Sequence, residues 1–228
     1  MTGGRRNAAL VVTGGTNVSG TLDLLLKERI VAIVRGLEGE SADRAAEALV
    51  GGGIRLVEVT MNTPGALKTI AGWREKFDGR AAIGAGTVLD LQMAKEAAAA
   101  GAMYLISPNL DEEVIAFGAE RGLSVWPGVM TPTEIVRAWK AGAEAVKVFP
   151  MASLGVGYLA EIRAPLDHIP MIATGGVDLT TIRSYFEAGA AAVGIGSRLL
   201  NREWIKAGDF ERLTDNARRY VEIVRSLT

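Results

Sequence analysis

The sequence predicts an α/β protein: a single domain closed into a (β/α)8 barrel, with an N-terminal tail and a long C-terminal helix. Three observations predict it. Short runs rich in β-branched and small residues recur along the chain, their starts roughly 20 to 26 residues apart, which leaves room for a strand, a loop and a helix in each unit. Helical patterns fill the intervals between them. Small-residue junctions then precede many strands: Gly51-Gly52-Gly53, Gly101-Ala102, Gly142-Ala143 and Gly189-Ala190. Glycine there can end a helix in the left-handed conformation and turn the chain into the next strand. Strands alternating with helices argue for a parallel sheet, and eight units in 228 residues argue for closure rather than for an open doubly wound sheet, the second reading.

The elements follow in order. Met1 to Gly20 is rich in Gly, Thr and Asn around one apolar patch, Ala8 to Val12. That patch is shorter than a signal-peptide core, so residues 1–20 read as a loosely attached tail of a cytoplasmic protein, and residues 21–228 as the barrel. The strand candidates are Ile30–Arg35, Leu56–Met61, Ala82–Val88, Tyr104–Pro108, Ser124–Val129, Ala145–Pro150, Met171–Gly175 and Ala192–Gly196. Helical stretches such as Ser41–Gly51, Asp90–Ala100, Thr133–Ala141 and Thr180–Ala188 lie between them, several opening on Ser, Thr or Asp and closing near a glycine. Phe210 to Leu227 reads as a long amphipathic helix packed outside the barrel.

Composition narrows the function. Twenty-five basic and 26 acidic residues leave a formal charge of -1, so charge makes no case for nucleic acid or an anionic membrane as partner. The absence of cysteine excludes disulfides, thiolate metal sites and cysteine nucleophiles. The one histidine, His168, lies in a loop-like stretch and reads as solvated. No metal motif occurs, so neither a metal nor another cofactor is expected. No apolar run approaches the ~18 residues a membrane span needs.

Side chains alternate along a strand, and barrel enzymes place their chemistry at the C-terminal strand ends. In Ala145-Val146-Lys147-Val148-Phe149 the valines suit the helix-facing side, which turns Lys147 and Phe149 inward. In Leu56-Val57-Glu58-Val59-Thr60 the same logic puts Glu58 and Thr60 inside. Of the seven lysines, only Lys147 falls in an apolar strand. It is either half of a structural ion pair or a reactive amine. A buried ion pair contributes little net stability, because desolvation offsets the attraction, whereas an amine in an enclosed strand-end site suits Schiff-base formation.

The last two strands carry a second signal. Thr174-Gly175-Gly176 ends one, and Gly194-Ile195-Gly196-Ser197 ends the other and opens a helix. Loops after these two barrel strands often hold phosphate through backbone N–H groups, and Ser197 adds a hydroxyl; the other reading is a pair of tight turns. Gly84-Ala85-Gly86-Thr87 similarly makes room and offers the Thr87 hydroxyl at the rim. Pro108 and Pro127 end strands and could be terminators only. Arg35 ends the first strand, either as a cation for a substrate anion or as a solvated side chain.

These residues together resemble the class I 2-keto-3-deoxy-6-phosphogluconate/4-hydroxy-2-oxoglutarate aldolase family. The matching stretches are VAIVRG from Val31, VEVTMNTPGAL from Val57, IGAGTVLD from Ile83, ISPNLDEEVI from Ile106, PGVMTPTE from Pro127, VKVFP from Val146, ATGGV from Ala173 and VGIGS from Val193. The resemblance implies a metal-free barrel, usually trimeric. It implies Lys147 as the Schiff-base lysine, Glu58 as the proton shuttle, Thr87 and Pro108 lining a pyruvate pocket and Phe149 as the aromatic beside the lysine. Gly175, Gly176 and Ser197 match its phosphate cradle.

One position departs from the phosphogluconate-type pattern, in which an arginine stands four residues after the glutamate. Here that place is Asn62, as in the phosphogalactonate branch of the family. An amide cannot give the bidentate charged contact an arginine gives a carboxylate, so Arg35 is expected to supply the cation. The implied reaction is reversible cleavage of a phosphorylated 2-keto-3-deoxy sugar acid to pyruvate and glyceraldehyde 3-phosphate, with 4-hydroxy-2-oxoglutarate as a further candidate substrate. Its rivals are another phosphate-binding barrel enzyme, such as an epimerase or isomerase, and a non-catalytic oligomeric barrel that binds sugar acids.

Overall fold

The computed structural model describes residues 18–227. Nine strands form one parallel sheet: β1 (Ile30–Val34), β2 (Leu56–Thr60), β3 (Ala82–Gly86), β4 (Tyr104–Ile106), β5 (Ser124–Trp126), β6 (Gly128–Val129), β7 (Val146–Val148), β8 (Met171–Thr174) and β9 (Ala192–Ile195). Their order is β5-β4-β3-β2-β1-β9-β8-β7-β6. Since β5 and β6 are separated only by Pro127, the two ends of that order are one chain segment, and the sheet closes as an eight-position barrel.

The fifth predicted strand is therefore corrected: it is two pieces. Proline has no N–H to give the ladder. The pairing passes across the break through the Pro127 carbonyl, which accepts from Lys147 N–H at 2.8 Å. The other strands end one or two residues before their predicted limits, so Arg35, Met61, Thr87, Pro108, Phe149, Gly175 and Gly196 stand on the rim instead of in the ladder. The turns and loops carrying the candidate groups start there.

The predicted tail also changes at its end. Helix α1 (Val18–Glu28) begins inside it, so residues 18–20 belong to the folded unit, whereas the Ala8–Val12 patch lies outside the described residues. Leu25 of α1 is fully buried with Val31, Leu56, Tyr104, Trp126 and Ile172, closing the N-terminal end of the barrel.

Nine more helices follow: α2 (Gly39–Gly51), α3 (Ala66–Lys76), α4 (Leu91–Ala99), α5 (Glu112–Arg121), α6 (Pro132–Lys140), α7 (Met151–Arg163), α8 (Ile182–Glu187), α9 (Arg202–Ala207) and α10 (Phe210–Arg225). Caps of the predicted kind start several of them. Asp90 accepts from Met93 N–H, Asp111 from Glu113 and Val114 N–H, and Thr131 with Glu134 forms a reciprocal capping box. The terminal helix α10 buries Leu213, Ala217, Tyr220, Val221 and Val224, one stripe at helical spacing. Burying each of its large aliphatic side chains contributes about 1.5–3 kcal/mol.

Strand alternation divides the core. Outward residues such as Val57, Val59, Val146, Val148 and Val193 pack against the helices. Inward residues form two levels. The lower is apolar and contains Leu56, Ala82, Ala145, Ile172 and Ala192. Two residues further along those strands come Glu58, Gly84, Lys147, Thr174 and Gly194, a level with charge and with space.

Candidate active site

Strands β2 and β7 stand on opposite sides of the barrel, four sheet positions apart in either direction. Their inward side chains converge on the interior. Glu58 is 1% exposed and Lys147 5% exposed, so both charges lie within the protein. Among the described residues no carboxylate lies within ion-pair distance of Lys147, and Glu58 Oε1 has no hydrogen-bond partner in the protein. Burial pushes the Glu58 carboxyl above the usual carboxylate range, and the nearby positive charges of Lys147 and then Arg35 pull it back.

Three glycines make room for the polar level. A Cβ on Gly86 would stand 1.7 Å from Glu58 Oε1, one on Gly84 2.2 Å from the Tyr104 ring, and one on Gly194 2.5 Å from Thr174 Oγ1. Each is a place where a neighbouring strand's side chain lies directly over backbone. Thr174 is buried beside Gly194, on the strand next to that of Lys147.

The rim adds further groups. Arg35, exposed just past β1, donates from its guanidinium to Thr87 Oγ1 at 3.3 Å, so its charge crosses the end of β2 above Glu58. Thr87 has φ of 59°, a conformation β-branched residues rarely adopt. Holding it there costs on the order of 1–3 kcal/mol, and such strain concentrates where a side chain is aimed at a ligand. Phe149 is 38% exposed, with its ring centroid 5.3 Å from Lys147 Nζ. Pro108 is half-buried, and its carbonyl packs so closely on Gly128 that a Cβ there would lie 2.3 Å from it.

The loops expected to hold phosphate come together beside this mouth. Gly175 and Gly176 have φ of 98° and 75°, and a Cβ on Gly175 would lie 3.4 Å from Met151 N at the start of α7. Gly196 and Ser197 line a small cavity of about 190 Å³ together with Ile33, Arg35 and Arg202. The expected helix after Ser197 is corrected to a turn closed by Leu199 and Leu200 N–H onto Gly196 O; α9 starts only at Arg202. Larger hollows exist, but that of about 970 Å³ lies beneath the barrel, lined by Arg55, Arg74 and Met103, remote from Lys147. Proximity to a buried amine and carboxylate decides here, not size.

Asn62 is exposed in the turn after β2. Sequence reasoning also missed two supports. Thr63 is buried, bonds Thr60 Oγ1 at 3.0 Å and accepts from Gly36 N–H at 2.9 Å, tying β2 to the loop that carries Arg35. Asn216, buried in α10, donates to the carbonyls of Arg198 and Leu199 and steadies the turn after Ser197. A polar residue at a core-facing helical position was the available signal for Asn216.

A parallel barrel with a buried amine and a buried carboxylate at the C-terminal strand ends has the parts of a barrel enzyme able to work through a Schiff base, as aldolases do. Comparisons with known proteins agree. A family model described as KDPG and KHG aldolase matches residues 22–216, and the chain belongs to that family. It is 33% identical over 203 residues to the 2-dehydro-3-deoxy-phosphogluconate aldolase of Treponema pallidum, covering 89% of this chain and 96% of that one. To the 2-dehydro-3-deoxy-6-phosphogalactonate aldolase of Escherichia coli it is 33% identical over 198 residues, 86% of this chain and 94% of the relative. Among solved structures, the KDPG aldolase of Legionella pneumophila with pyruvate captured as a covalent carbinolamine superposes with a TM-score of 0.79 at 29% identity, covering 86% and 95% of the two chains.

Proposed function

We propose that the protein is a class I aldolase that reversibly cleaves a 2-keto-3-deoxy-6-phospho sugar acid into pyruvate and glyceraldehyde 3-phosphate through a Schiff base on Lys147. The observation that carries this is a buried amine with no carboxylate in ion-pair reach among the described residues, facing a buried glutamate. A structural ion pair would show the opposite arrangement, since a buried charge is stable only when closely paired.

Lys147 Nζ attacks the C2 carbonyl, and the carbinolamine loses water to give a protonated imine. Glu58 takes the C4 hydroxyl proton, directly or through a water. The C3–C4 bond breaks, its electron pair flows into the iminium as an enamine, and C4 leaves as the aldehyde. Protonation at C3 and hydrolysis of the imine release pyruvate and return the amine. A carboxyl whose proton affinity is raised by burial suits this alternation of base and acid.

The proposed binding groups divide by charge. Arg35, Thr87 and Pro108 would hold the pyruvate end, with Arg35 in place of the cation that Asn62 cannot supply, and Phe149 and Thr174 would flank the lysine. Gly175, Gly176, Gly196 and Ser197 would hold the phosphate, which orients the substrate far from the reacting carbons. Asn62 and Arg35 leave the phosphogalactonate and phosphogluconate substrates as two candidates, separated by kinetics on both epimers. The phosphate charge keeps such substrates inside the cell, which supports a cytoplasmic place of action. Membership of a family whose barrels are usually trimeric supports a homotrimer, checked by sedimentation.

Borohydride reduction in the presence of pyruvate tests the function. An irreversible adduct on Lys147 and on no other lysine is the expected result. Absence of an adduct from a preparation that turns over sugar acid would overturn the mechanism.

A further inference from the structure

Three polar side-chain atoms inside the barrel have no hydrogen-bond partner in the protein: Glu58 Oε1, Tyr104 Oη and Trp126 Nε1. Tyr104 and Trp126 are fully buried and stack face to face, centroids 4.6 Å apart at 22°, which fixes the phenol ring. A buried polar atom left bare is costly and rare, so an acceptor and two donors in one interior need a common explanation.

The glycines of β3 show where two of these atoms lie. Glu58, from β2, leans over Gly86, with Oε1 1.7 Å and Cδ 2.1 Å from the position of a Cβ there. Tyr104, from β4, leans over Gly84 from the other side, with Cε2 2.2 Å and Cδ2 and Cζ each 2.4 Å from that glycine's Cβ position, so one edge of the ring overhangs β3. Residues i and i+2 face the same way along a strand, so both side chains lean over the same inward face of β3. The carboxylate and the phenol do not bond each other directly. A buried water with two or more such polar partners is the usual way in which bare groups of this kind are satisfied. The phenol can donate to that water, and the water to the carboxylate.

We propose that Tyr104 is a positioning residue for Glu58, its hydroxyl donating through a single buried water to Oε1, with Trp126 holding the ring. The carboxylate thereby gains a donor on the side away from the substrate and is held aimed at the mouth. The electrostatics of the phenol agree with this closeness: after burial itself, the charge on Glu58 raises the proton affinity of Tyr104. The inference rests on the reading of Glu58 as the proton-transfer group.

The test compares the wild type, Tyr104→Phe and Glu58→Gln in pH profiles of kcat/KM for pyruvate release, with thermal melts and borohydride-adduct yield alongside. Losing a donor disfavours the carboxylate, so in Tyr104→Phe the acid limb moves up by about one pH unit and turnover on that limb falls roughly tenfold. The plateau and the adduct yield at Lys147 hold, and the Tm falls. A Tyr104→Phe profile that superimposes on the wild type overturns the inference. So does a rise in Tm, which would mark the hydroxyl as bare in the folded protein. The proposed function fails separately: Glu58→Gln with wild-type turnover would sink it whatever Tyr104→Phe does.

Discussion

Replacing Gly86 with alanine is the sharpest probe of the arrangement, because the added methyl meets the catalytic candidate itself. It would stand 1.7 Å from Glu58 Oε1, 2.1 Å from Cδ and 2.4 Å from Cγ, where ordinary contact begins at 3.4 Å. Something must move by about 1.7 Å. The β3 backbone is held: Gly86 pairs with Thr60 in the ladder, and its carbonyl accepts from Met61 N–H at 2.8 Å. The Glu58 side chain therefore yields. Misplacing a reacting group by an ångström or more reduces rate on the order of 10²-fold. Overpacking costs about 1–3 kcal/mol, inside the 5–15 kcal/mol margin of a typical domain, so the variant stays folded. The assay is pyruvate release coupled to a dehydrogenase, with the Lys147 adduct as a control that the pocket still binds pyruvate. On a Glu58→Gln background the same change should add nothing, since the group it displaces no longer acts. Turnover of Gly86→Ala within about threefold of the wild type would refute the placement of Glu58 as the proton-transfer group.

Other outcomes follow from the same geometry. Lys147→Arg keeps the charge but cannot form an imine, so borohydride trapping disappears and kcat falls roughly 10⁴-fold or more, read by mass spectrometry and steady-state kinetics. Arg35→Ala removes a charge-assisted contact at the exposed rim and raises KM about tenfold with kcat little changed; an unchanged KM would end the assignment of Arg35 to the carboxylate. Glu58→Gln acts on stability in a pH-dependent way. A carboxyl whose folded pKa lies above its unfolded value favours the folded state most below the unfolded pKa, and that contribution is lost as pH rises through the folded pKa. The glutamine variant should therefore melt above the wild type at neutral and higher pH, with the gain shrinking in acid; no gain at any pH would mean that Lys147 and Arg35 fully offset the burial.

The lysine, the glutamate and the barrel were legible because each depends on a local period. Alternation with helix-facing valines turned Lys147 and Glu58 inward without knowledge of any partner strand, and helix-closing glycines marked the repeats. What escaped depended on partners distant in sequence. Tyr104 and Trp126 read only as strand core; their unpaired polar atoms exist only once β4 and β5 curve beneath Glu58. Helix α1 was missed because its Leu24-Leu25-Leu26 run abuts a Gly- and Thr-rich stretch and serves as a plug rather than as part of the repeat. The break at Pro127 was visible as a residue but not as a gap, since β5 and β6 each pair with a different neighbour.

The two levels of the barrel interior answer the oldest doubt about Lys147, that it is merely structural. A core built for stability would continue its apolar lower level upward, or would close any buried charges into pairs. Instead, among the described residues, Glu58 Oε1 has no partner and Lys147 no carboxylate within ion-pair reach, and Thr87 is held in a strained conformation. Each of these disfavours folding relative to a closed apolar level, the Thr87 backbone alone on the order of 1–3 kcal/mol. Burial of strand and helix faces such as that of α10 offsets them, far from the mouth. The unfavourable groups all sit where a two-ended anion would be gripped and its middle cleaved. That distribution is what a site pre-organised for a substrate requires, and a purely structural role for Lys147 leaves it unexplained.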